Sequence, residues 1–216
     1  RVYTLGRFKI AIVIPAYNEE DTIRDVVDSV LQYGSVIVVN DASSDSTESR
    51  AIQSGAIVVN HVINQGYDKA LNSGFIEADK RDYDAIITFD ADGQHNPIMM
   101  EEYIKYLKNG KELVLGVRPK SARIVERVFA VYTRAIINWK DPLCGMKGYS
   151  INLYRKLGYF DSYGSIGTEL AMFGLVNNYS SVQLPVSIFS RRDKSRFYSA
   201  FISNWRIIKA LFKLQK

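Results

Sequence analysis

Two aspartates and a glutamine stand close together in the segment IITFDADGQHNP, residues 86–97. An apolar run of β-forming residues leads directly into Asp90 and Asp92, and two carboxylates about 4 Å apart repel by about 4 kcal/mol at an effective dielectric of about 20. Folding does not require that cost, so we expect a cation between them. Carboxylate oxygens and the amide oxygen of Gln94 suit Mg²⁺ or Mn²⁺, and such an ion completes its shell with phosphate oxygens. The segment therefore predicts a site for a metal ion and a diphosphate. A lone D-x-D is also common in solvated capping loops, but the Gln-His-x-Pro continuation disfavours that alternative.

Three other polar clusters follow predicted strands, at residues 17–19, 40–41 and 64–66. In open α/β sheets, ligands bind beyond the carboxyl ends of the strands. Each cluster alone is also compatible with a helix cap or an ordinary turn. All four clusters on one rim predict a ligand site there.

The elements that would position these clusters alternate along the first half of the chain. We predict strands over 9–17, 35–41, 56–61, 83–90 and 111–117, and helices over 18–34, 43–55, 66–80 and 96–110. The strands are continuously apolar, which indicates a mostly parallel sheet with helices on both faces.

The second half of the chain is less regular. We predict helices over 121–139 and 165–178, a strand ending near residue 150, and an edge strand over 180–189 that Pro185 interrupts. The sequence therefore predicts one α/β domain over residues 1–195 and an amphipathic helix over 196–216.

Composition narrows the class of protein. A chain of 216 residues with 47% hydrophobic residues suits one globular domain with a large core. The single cysteine, Cys144, excludes an intramolecular disulfide and leaves too few thiols for a structural zinc site, which favours a reducing compartment. The uncharged stretch 170–190 contains Asn, Gln, Ser and Pro, so we predict no transmembrane helix there.

The positive charge is concentrated in the tail. From Arg191 onward there are eight basic residues and one acid, whereas the whole chain carries only +5. The preceding body is therefore slightly acidic, which argues against nucleic acid as a partner and for an anionic partner near the C-terminus. A helix with aromatic residues on one face and basic residues on the other suits an anionic membrane surface. The alternative is that its aromatic face packs onto the domain or forms the seam of a homodimer.

The segments VIPAYNEEDTI, VVNDASSDST, NQGYDKALNSG and FDADGQHNP follow one another in this order. With them, residues 9–195 resemble the family-two glycosyltransferases of the GT-A fold. The resemblance is greatest to dolichol-phosphate mannose synthases and other polyprenyl-phosphate sugar transferases. It implies a Rossmann-like, mostly parallel sheet, a nucleoside-diphosphate sugar (GDP- or UDP-sugar) as donor, and a location at the cytoplasmic face of a membrane.

The same resemblance assigns roles to individual residues. Contacts with the donor are implied for Pro15, Ala16, Tyr17, Glu19, Asp41, Asn64, Gly66, Lys69, Asp90 and Ala91, and contacts with the metal for Asp90, Asp92 and Gln94. Contacts with the acceptor are implied for Arg118, Arg123, Arg127, Lys147, Arg191, Arg192 and Lys194. We expect the catalytic residues to be Asp92, Asp141, Glu169 and Arg118.

The chain departs from the family pattern at three places. Asp68 replaces a small residue of the glycine-rich N-x-G-x-G string, and Lys147 replaces the arginine of a Ser-Gly-Phe-Arg element. The basic loop SRRDKSRF is shorter than its family counterpart. The last two changes bear on the identity of the acceptor more than on the chemistry.

The identity of the acceptor decides whether a general base is needed. The resemblance implies a single displacement with inversion at the anomeric carbon. A polyprenyl phosphate is already ionised, so its positioning by Arg118, Arg127 and the basic loop would dominate. A sugar or glycolipid hydroxyl requires a base, for which Glu169 is the first candidate and Asp141 the second. Glu169 is equally compatible with a solvent-facing helix position.

Two other classes of protein are disfavoured. A nucleotidyltransferase needs a basic, glycine-rich loop after the first strand, where this chain has the acidic PAYNEE. A non-catalytic adaptor is disfavoured by the complete set of metal ligands.

Overall fold

A computed structural model describes residues 8–119 and 124–189. The predicted C-terminal helix over 196–216 and four of the predicted acceptor residues, Arg123, Arg191, Arg192 and Lys194, lie outside these ranges. Among the described helices, none combines the length and the apolar character needed to cross a bilayer.

The described residues form one seven-stranded sheet in the order β3-β2-β1-β4-β6-β5-β7. The strands are β1 (Ile10–Ala16), β2 (Ser35–Asn40), β3 (Ile57–Asn60), β4 (Ala85–Thr88), β5 (Leu113–Val117), β6 (Lys147–Ser150) and β7 (Ser181–Pro185). Only β6 runs antiparallel to its neighbours, β4 and β5. The predicted mostly parallel sheet is confirmed, and β7, with Pro185 at its end, lies at an edge as expected.

Helices cover both faces of the sheet. They are α1 (Ile23–Val30), α2 (Thr47–Gln53), α3 (Tyr67–Lys80), α4 (Met99–Lys108), α5 (Ile124–Ile137), α6 (Ile151–Leu157) and α7 (Glu169–Val176). Ile12 and Ile14 of β1 point into a core built with α1, α2 and α4. Ala11 and Val13 point into a second core built with α3, α6 and α7. Since both sides of β1 are buried, its sequence is apolar without alternation.

The first helix is shorter than predicted. Residues 18–34 were expected to be helical, but α1 begins only at Ile23. The preceding residues form a turn in which the amide groups of Thr22 and Ile23 donate to the carbonyl oxygen of Glu19, at 3.1 and 2.9 Å. Asn18 has a left-handed φ of 53°, a conformation that asparagine tolerates better than most residues. The polar start of this segment therefore belongs to the rim of the sheet.

Helix α6 was missed by the sequence analysis. It has 7 residues, which is too short for a clear apolar period. Its ends carry recognisable signals: the Ser150 hydroxyl accepts from the amide of Leu153 at 3.2 Å, and Gly158 ends the helix with φ 89°. Residues up to 150 were correctly predicted as a strand. Ser150 was therefore not recognised as the N-cap of the helix that follows.

The order of the strands fixes where a ligand can bind. Strand β1 pairs with β2 on one side and with β4 on the other, both parallel. The chain thus winds outward from β1 in two directions, and the crevice at such a switch point lies at the carboxyl ends of these strands. Residues after β1, β2, β3 and β4 meet at this rim. The antiparallel β6 brings its first residue, Lys147, to the same rim.

Candidate active site

The polar clusters that follow β1 and β2 interlock at the rim. The Asn18 side-chain oxygen accepts from the amide of Ser44 at 2.8 Å, and the amide of Asn18 donates to the Ser43 hydroxyl at 2.9 Å. Glu19 donates its amide to the Thr47 hydroxyl at 2.7 Å, and its carboxylate accepts from the Thr22 hydroxyl at 3.1 Å. These contacts fix the chain on either side of Tyr17.

Tyr17 is an exposed residue of this rim. It is 43% exposed, although most residues of β1, which it follows, are buried. An exposed aromatic ring at the switch point is a surface on which a nucleotide base can stack. Pro15 and Ala16, also predicted to contact the donor, form the end of β1 directly before it.

Asp41 holds the loop between β3 and α3. Its carboxylate accepts from the amides of Gln65 and Gly66 at 2.8 and 2.7 Å, and it lies 2.6 Å from Nδ1 of His61. Its carbonyl oxygen accepts from the side-chain amide of Asn64 at 3.2 Å. Asp41 is 3% exposed. The structure therefore gives Asp41 a role in shaping the loop that carries Asn64 and Gly66, two of the predicted donor residues.

Asp90 is the centre of a polar cluster at the end of β4. Its carboxylate lies 3.0 Å from Nε2 of His95 and accepts from the Tyr67 hydroxyl at 3.3 Å. Burial alone would raise the pKa of Asp90, but the hydrogen bond and charge of His95 and the charge of Lys147 lower it below its usual value. The carboxylate is therefore held in its ionised form.

Gly145 makes room for Asp90. A Cβ atom at this position would lie 2.0 Å from the nearer carboxylate oxygen of Asp90. The carbonyl oxygen of Gly145 also accepts from the Thr88 hydroxyl at 2.6 Å, which fixes the loop against β4. The glycine of the DPLCGMKGY segment is thus required by a close approach to the Asp90 carboxylate.

Asp92 and Gln94 form a tight turn beyond Asp90. One carboxylate oxygen of Asp92 accepts from the amide of Gln94 at 3.0 Å, and Gly93 between them has φ 68°. Within residues 8–119 and 124–189, no group of three or more His, Cys, Asp or Glu side chains could hold a metal ion. The donor set that remains is two carboxylates and one amide oxygen. This set fits Mg²⁺ or Mn²⁺, which binds one or two carboxylates and takes further oxygens from substrate phosphates.

Arg118 and Asp141 form a two-pronged ion pair on the other side of the rim. Nε and Nη2 of Arg118 donate to the two carboxylate oxygens of Asp141 at 2.8 and 2.9 Å, and Nη2 also lies 3.5 Å from Glu126. Burial would lower the pKa of Arg118, but the hydrogen bonds and charge of Asp141 raise it above its ordinary value. The guanidinium, predicted to bind the acceptor, is largely committed to these two carboxylates. Arg127, in contrast, is exposed on α5.

Lys147 brings a buried positive charge between the two sides. It is 3% exposed, and its ammonium lies 5.9 Å from the centre of the Trp139 ring. Burial lowers the pKa of Lys147, while the neighbouring carboxylates of Asp141 and Asp90 act in the opposite direction. The indole nitrogen of Trp139 is buried and has no hydrogen-bond partner among the described residues. A bound anion beside Lys147 would offset the cost of burying this ammonium.

Glu169, the first candidate for a general base, caps a turn. It begins α7, and its carboxylate accepts from the amide of Ser162 at 2.6 Å and from the Ser162 hydroxyl at 2.7 Å. The second candidate, Asp141, is held by Arg118. Both carboxylates are therefore engaged as hydrogen-bond acceptors within the protein.

Three residues that were assigned no role from the sequence contribute side chains to this site. Tyr67 carried no signal beyond its position after Gly66, yet its hydroxyl reaches Asp90. The structure places the ring of His95 against Asp90. His61 lies between Asp41 and the Ser73 hydroxyl, 2.8 Å from the latter. Of the remaining predicted residues, Lys69 is exposed on the first turn of α3 and Ala91 is buried.

Comparison with known proteins identifies the family of this chain. A family model described as glycosyl transferase family 2 matches residues 11–165. The chain belongs to this family. The expectation that it is a glycosyltransferase is thereby confirmed.

Two curated relatives of this family-2 glycosyltransferase are named for polyprenyl-phosphate acceptors. The UDP-N-acetylglucosamine–dolichyl-phosphate N-acetylglucosaminyltransferase of Methanococcus voltae is 34% identical over 53% of this chain and 53% of its own length. The undecaprenyl-phosphate mannosyltransferase of Micrococcus luteus is 27% identical over 69% of each chain. The predicted resemblance to the polyprenyl-phosphate subgroup is confirmed. The chain spans only about half the length of the first of these relatives.

A solved structure confirms the fold. Glucosyl-3-phosphoglycerate synthase of Mycobacterium tuberculosis, crystallised with Mn²⁺, UDP and phosphoglyceric acid, superposes with a TM-score of 0.77. The alignment covers 96% of this chain and 78% of that chain, at 24% sequence identity. The family-2 glycosyltransferase therefore has the GT-A fold, as predicted.

Proposed function

We propose that this family-2 glycosyltransferase transfers a hexose from a nucleoside-diphosphate sugar (GDP- or UDP-sugar) to a polyprenyl phosphate, with inversion and with the help of Mg²⁺ or Mn²⁺. One observation carries the choice of acceptor: Glu169 and Asp141, the two candidate bases, are both committed to hydrogen bonds inside the protein. A hydroxyl acceptor needs a base, whereas a phosphate acceptor is already ionised near neutral pH. The names of the two relatives support the same choice.

The donor would lie along the rim from Tyr17 to Asp92. The Tyr17 ring offers a stacking surface for the base, and the loop from Asn64 to Gly66, held by Asp41, borders the nucleotide. Asp90, Asp92 and Gln94 would hold the metal ion, which when bound neutralises the charge of the departing diphosphate. The lowered pKa of Asp90 keeps that carboxylate available in its charged form.

The acceptor would approach from the side of Lys147. An oxygen of its phosphate attacks the anomeric carbon, a new carbon–oxygen bond forms, and the bond to the diphosphate breaks with its electron pair leaving on the nucleoside diphosphate. Lys147, Arg127 and the basic residues from Arg191 onward would position the phosphate; because Asp141 and Glu126 neutralise Arg118, that residue would act mainly by shaping the pocket. Such an acceptor places the reaction at a membrane surface, and we propose the cytoplasmic face and an interfacial role for the basic residues of the tail.

A product assay tests the proposal. The full chain is incubated with Mn²⁺, radiolabelled UDP- or GDP-hexoses and either polyprenyl phosphate or the same polyprenol without its phosphate. We expect organic-extractable, mild-acid-labile label with polyprenyl phosphate alone. Label that resists mild acid and appears equally with the polyprenol would show a hydroxyl acceptor and contradict the proposal.

A further inference from the structure

The dipeptide Tyr67-Asp68 joins the two sides of the rim. Tyr67 donates its hydroxyl to Asp90, and Asp68 accepts from the amide of Gly167 at 2.7 Å through its own carboxylate. Asp68 is 3% exposed, so this contact is buried. Asp68 also stands where the family pattern has a small residue, and a small side chain cannot make this contact.

The partner of Asp68 is the turn 161–168, which precedes α7. Asp161 at its start accepts from the amides of Gly164 and Ser165, at 2.5 and 2.8 Å. The Ser165 hydroxyl accepts from the amide of Glu169 at 3.0 Å. Ile166 has φ 59°, a left-handed conformation that is strained for a β-branched residue and persists only where the surroundings enforce it.

Helix α3 holds this turn at both ends. Asp68 and Asn72 lie four residues apart and therefore on one face of the helix. Asp68 binds Gly167 at the end of the turn, and Asn72 donates to the carbonyl oxygen of Asp161 at 2.7 Å and accepts from the amide of Phe160 at 2.9 Å. Hydrogen bonds thus attach the turn to α3, the helix that follows the loop 64–66.

The side chain of Tyr67 connects the turn to the Asp90 carboxylate. A Cβ atom on Gly167 would lie 3.4 Å from the edge of the Tyr67 ring, and the hydroxyl of that ring reaches Asp90. A shift of the turn would therefore change the distance between the Asp90 carboxylate and the start of α7, which carries Glu169.

We propose that Asp68 is a positioning residue that fixes the turn 161–168 relative to Asp90 and so sets the geometry in which the acceptor meets the bound donor. The inference rests on the proposed transferase function. It accounts for the aspartate at this position, because a carboxylate oxygen of Asp68 accepts the hydrogen bond that holds Gly167 in place. In this role Asp68 would act through the turn and not by contact with either substrate.

Three substitutions at residue 68 separate positioning from charge and from folding. Asp68→Asn keeps an oxygen that can accept from Gly167 and removes the charge. Asp68→Ala removes the contact, and Asp68→Glu keeps the charge but lengthens the side chain and displaces the turn. Asp79→Ala is the matched control. Asp79 lies on the same helix, and its carboxylate accepts from Nε of Arg155 at 2.6 Å. This contact lies away from the rim.

The readouts are kcat, the KM values for donor and polyprenyl phosphate, and the thermal stabilisation by nucleoside diphosphate with Mn²⁺. We expect Asp68→Ala and Asp68→Glu to lower kcat/KM for the acceptor about tenfold or more, since small misplacements are costly for a displacement. Stabilisation by nucleoside diphosphate should change less than about twofold in apparent affinity, and Asp68→Asn and Asp79→Ala should stay close to the wild type.

Several outcomes would overturn the inference. The first is a wild-type kcat/KM for the acceptor in both Asp68→Ala and Asp68→Glu. The second is a loss of kcat/KM in Asp68→Asn as large as in those two variants. The third is a loss of nucleotide affinity in the impaired variants as large as their loss of kcat/KM. If Asp68→Ala does not fold, Asp68→Glu against Asp68→Asn decides the question. Absence of transfer by the wild type would instead contradict the proposed function.

Discussion

The two sides of the rim use their carboxylates differently. On the proposed donor side, Asp90 contacts His95 and Tyr67 and is influenced by the charge of Lys147. On the proposed acceptor side, Nε and Nη2 of Arg118 both donate to Asp141. The charge of Asp141 is already balanced by the guanidinium that binds both of its oxygens. Asp90 lies at the switch point beside the titratable His95 and the neutral Tyr67, and its carboxylate can still bind a cation. In the proposed function, the donor side therefore carries the chemistry and the Arg118–Asp141 pair has a structural role.

The largest effect should follow from displacing Asp90. Gly145→Ala would put a methyl group 2.0 Å from the present position of an Asp90 carboxylate oxygen. We expect transferase activity to fall about 100-fold or more, because misplacement by about 1 Å at a reacting centre costs that much. Steady-state transfer with labelled donor measures the effect.

The control for this variant is Gly158→Ala, at the end of α6. Gly158 also has positive φ, 89°, but an added Cβ would meet no atom within 4 Å. This variant should lose about 1 kcal/mol of stability and keep its activity. Equal loss of activity in both variants would show that Gly145 matters through folding rather than through Asp90.

Removing the guanidinium should affect stability more than nucleotide binding. Arg118→Met removes the guanidinium that pairs with the largely buried carboxylates of Asp141 and Glu126. We expect the free energy of unfolding to fall by about 3 kcal/mol, as for other broken buried pairs, and Arg118→Lys to lie between this variant and the wild type. Urea denaturation measures the loss. If Arg118→Met is as stable as the wild type but has lost its stabilisation by nucleoside diphosphate and Mn²⁺, the division between the two sides is wrong.

The smallest effect is expected in the pH dependence of stability. The pKa of Asp90 is lowered in the folded protein, so the stabilising contribution of its charge is present above the unfolded pKa of about 3.9 and is lost as the pH falls through the folded value. Urea midpoints of the wild type and Asp90→Asn, compared between pH 7 and pH 3, isolate this contribution. The two curves should converge as the pH falls below about 4, and curves that stay parallel over the whole range would contradict the assignment.

The sequence predicted most of the sheet and the position of the rim. Strands β1 to β5 are continuous apolar runs, and a parallel sheet brings their ends together, so the four polar clusters could be placed without coordinates. The family resemblance then supplied the GT-A fold and the donor side.

The sequence could not predict which polar groups satisfy one another. Asp41 pairs with amides 24 and 25 residues away, and Arg118 pairs with Asp141 across 23 residues. Such pairings depend on how loops from different strands meet, and no local pattern records them. The same holds for Asp68, whose partner Gly167 is 99 residues distant.

The central claim is that Asp92, with Asp90, binds a divalent cation and the diphosphate of the donor. Thermal unfolding of the wild type, of Asp92→Ala and of the exposed control Asp82→Ala is followed with UDP or GDP, with and without Mn²⁺. A ligand at 100 times its Kd stabilises by about 2.7 kcal/mol, which is a rise in Tm of roughly 5–10 °C for a chain of this size. We predict this metal-dependent rise for the wild type and Asp82→Ala, and its loss in an Asp92→Ala variant that is folded without ligand. An undiminished metal-dependent rise in Asp92→Ala would contradict the account.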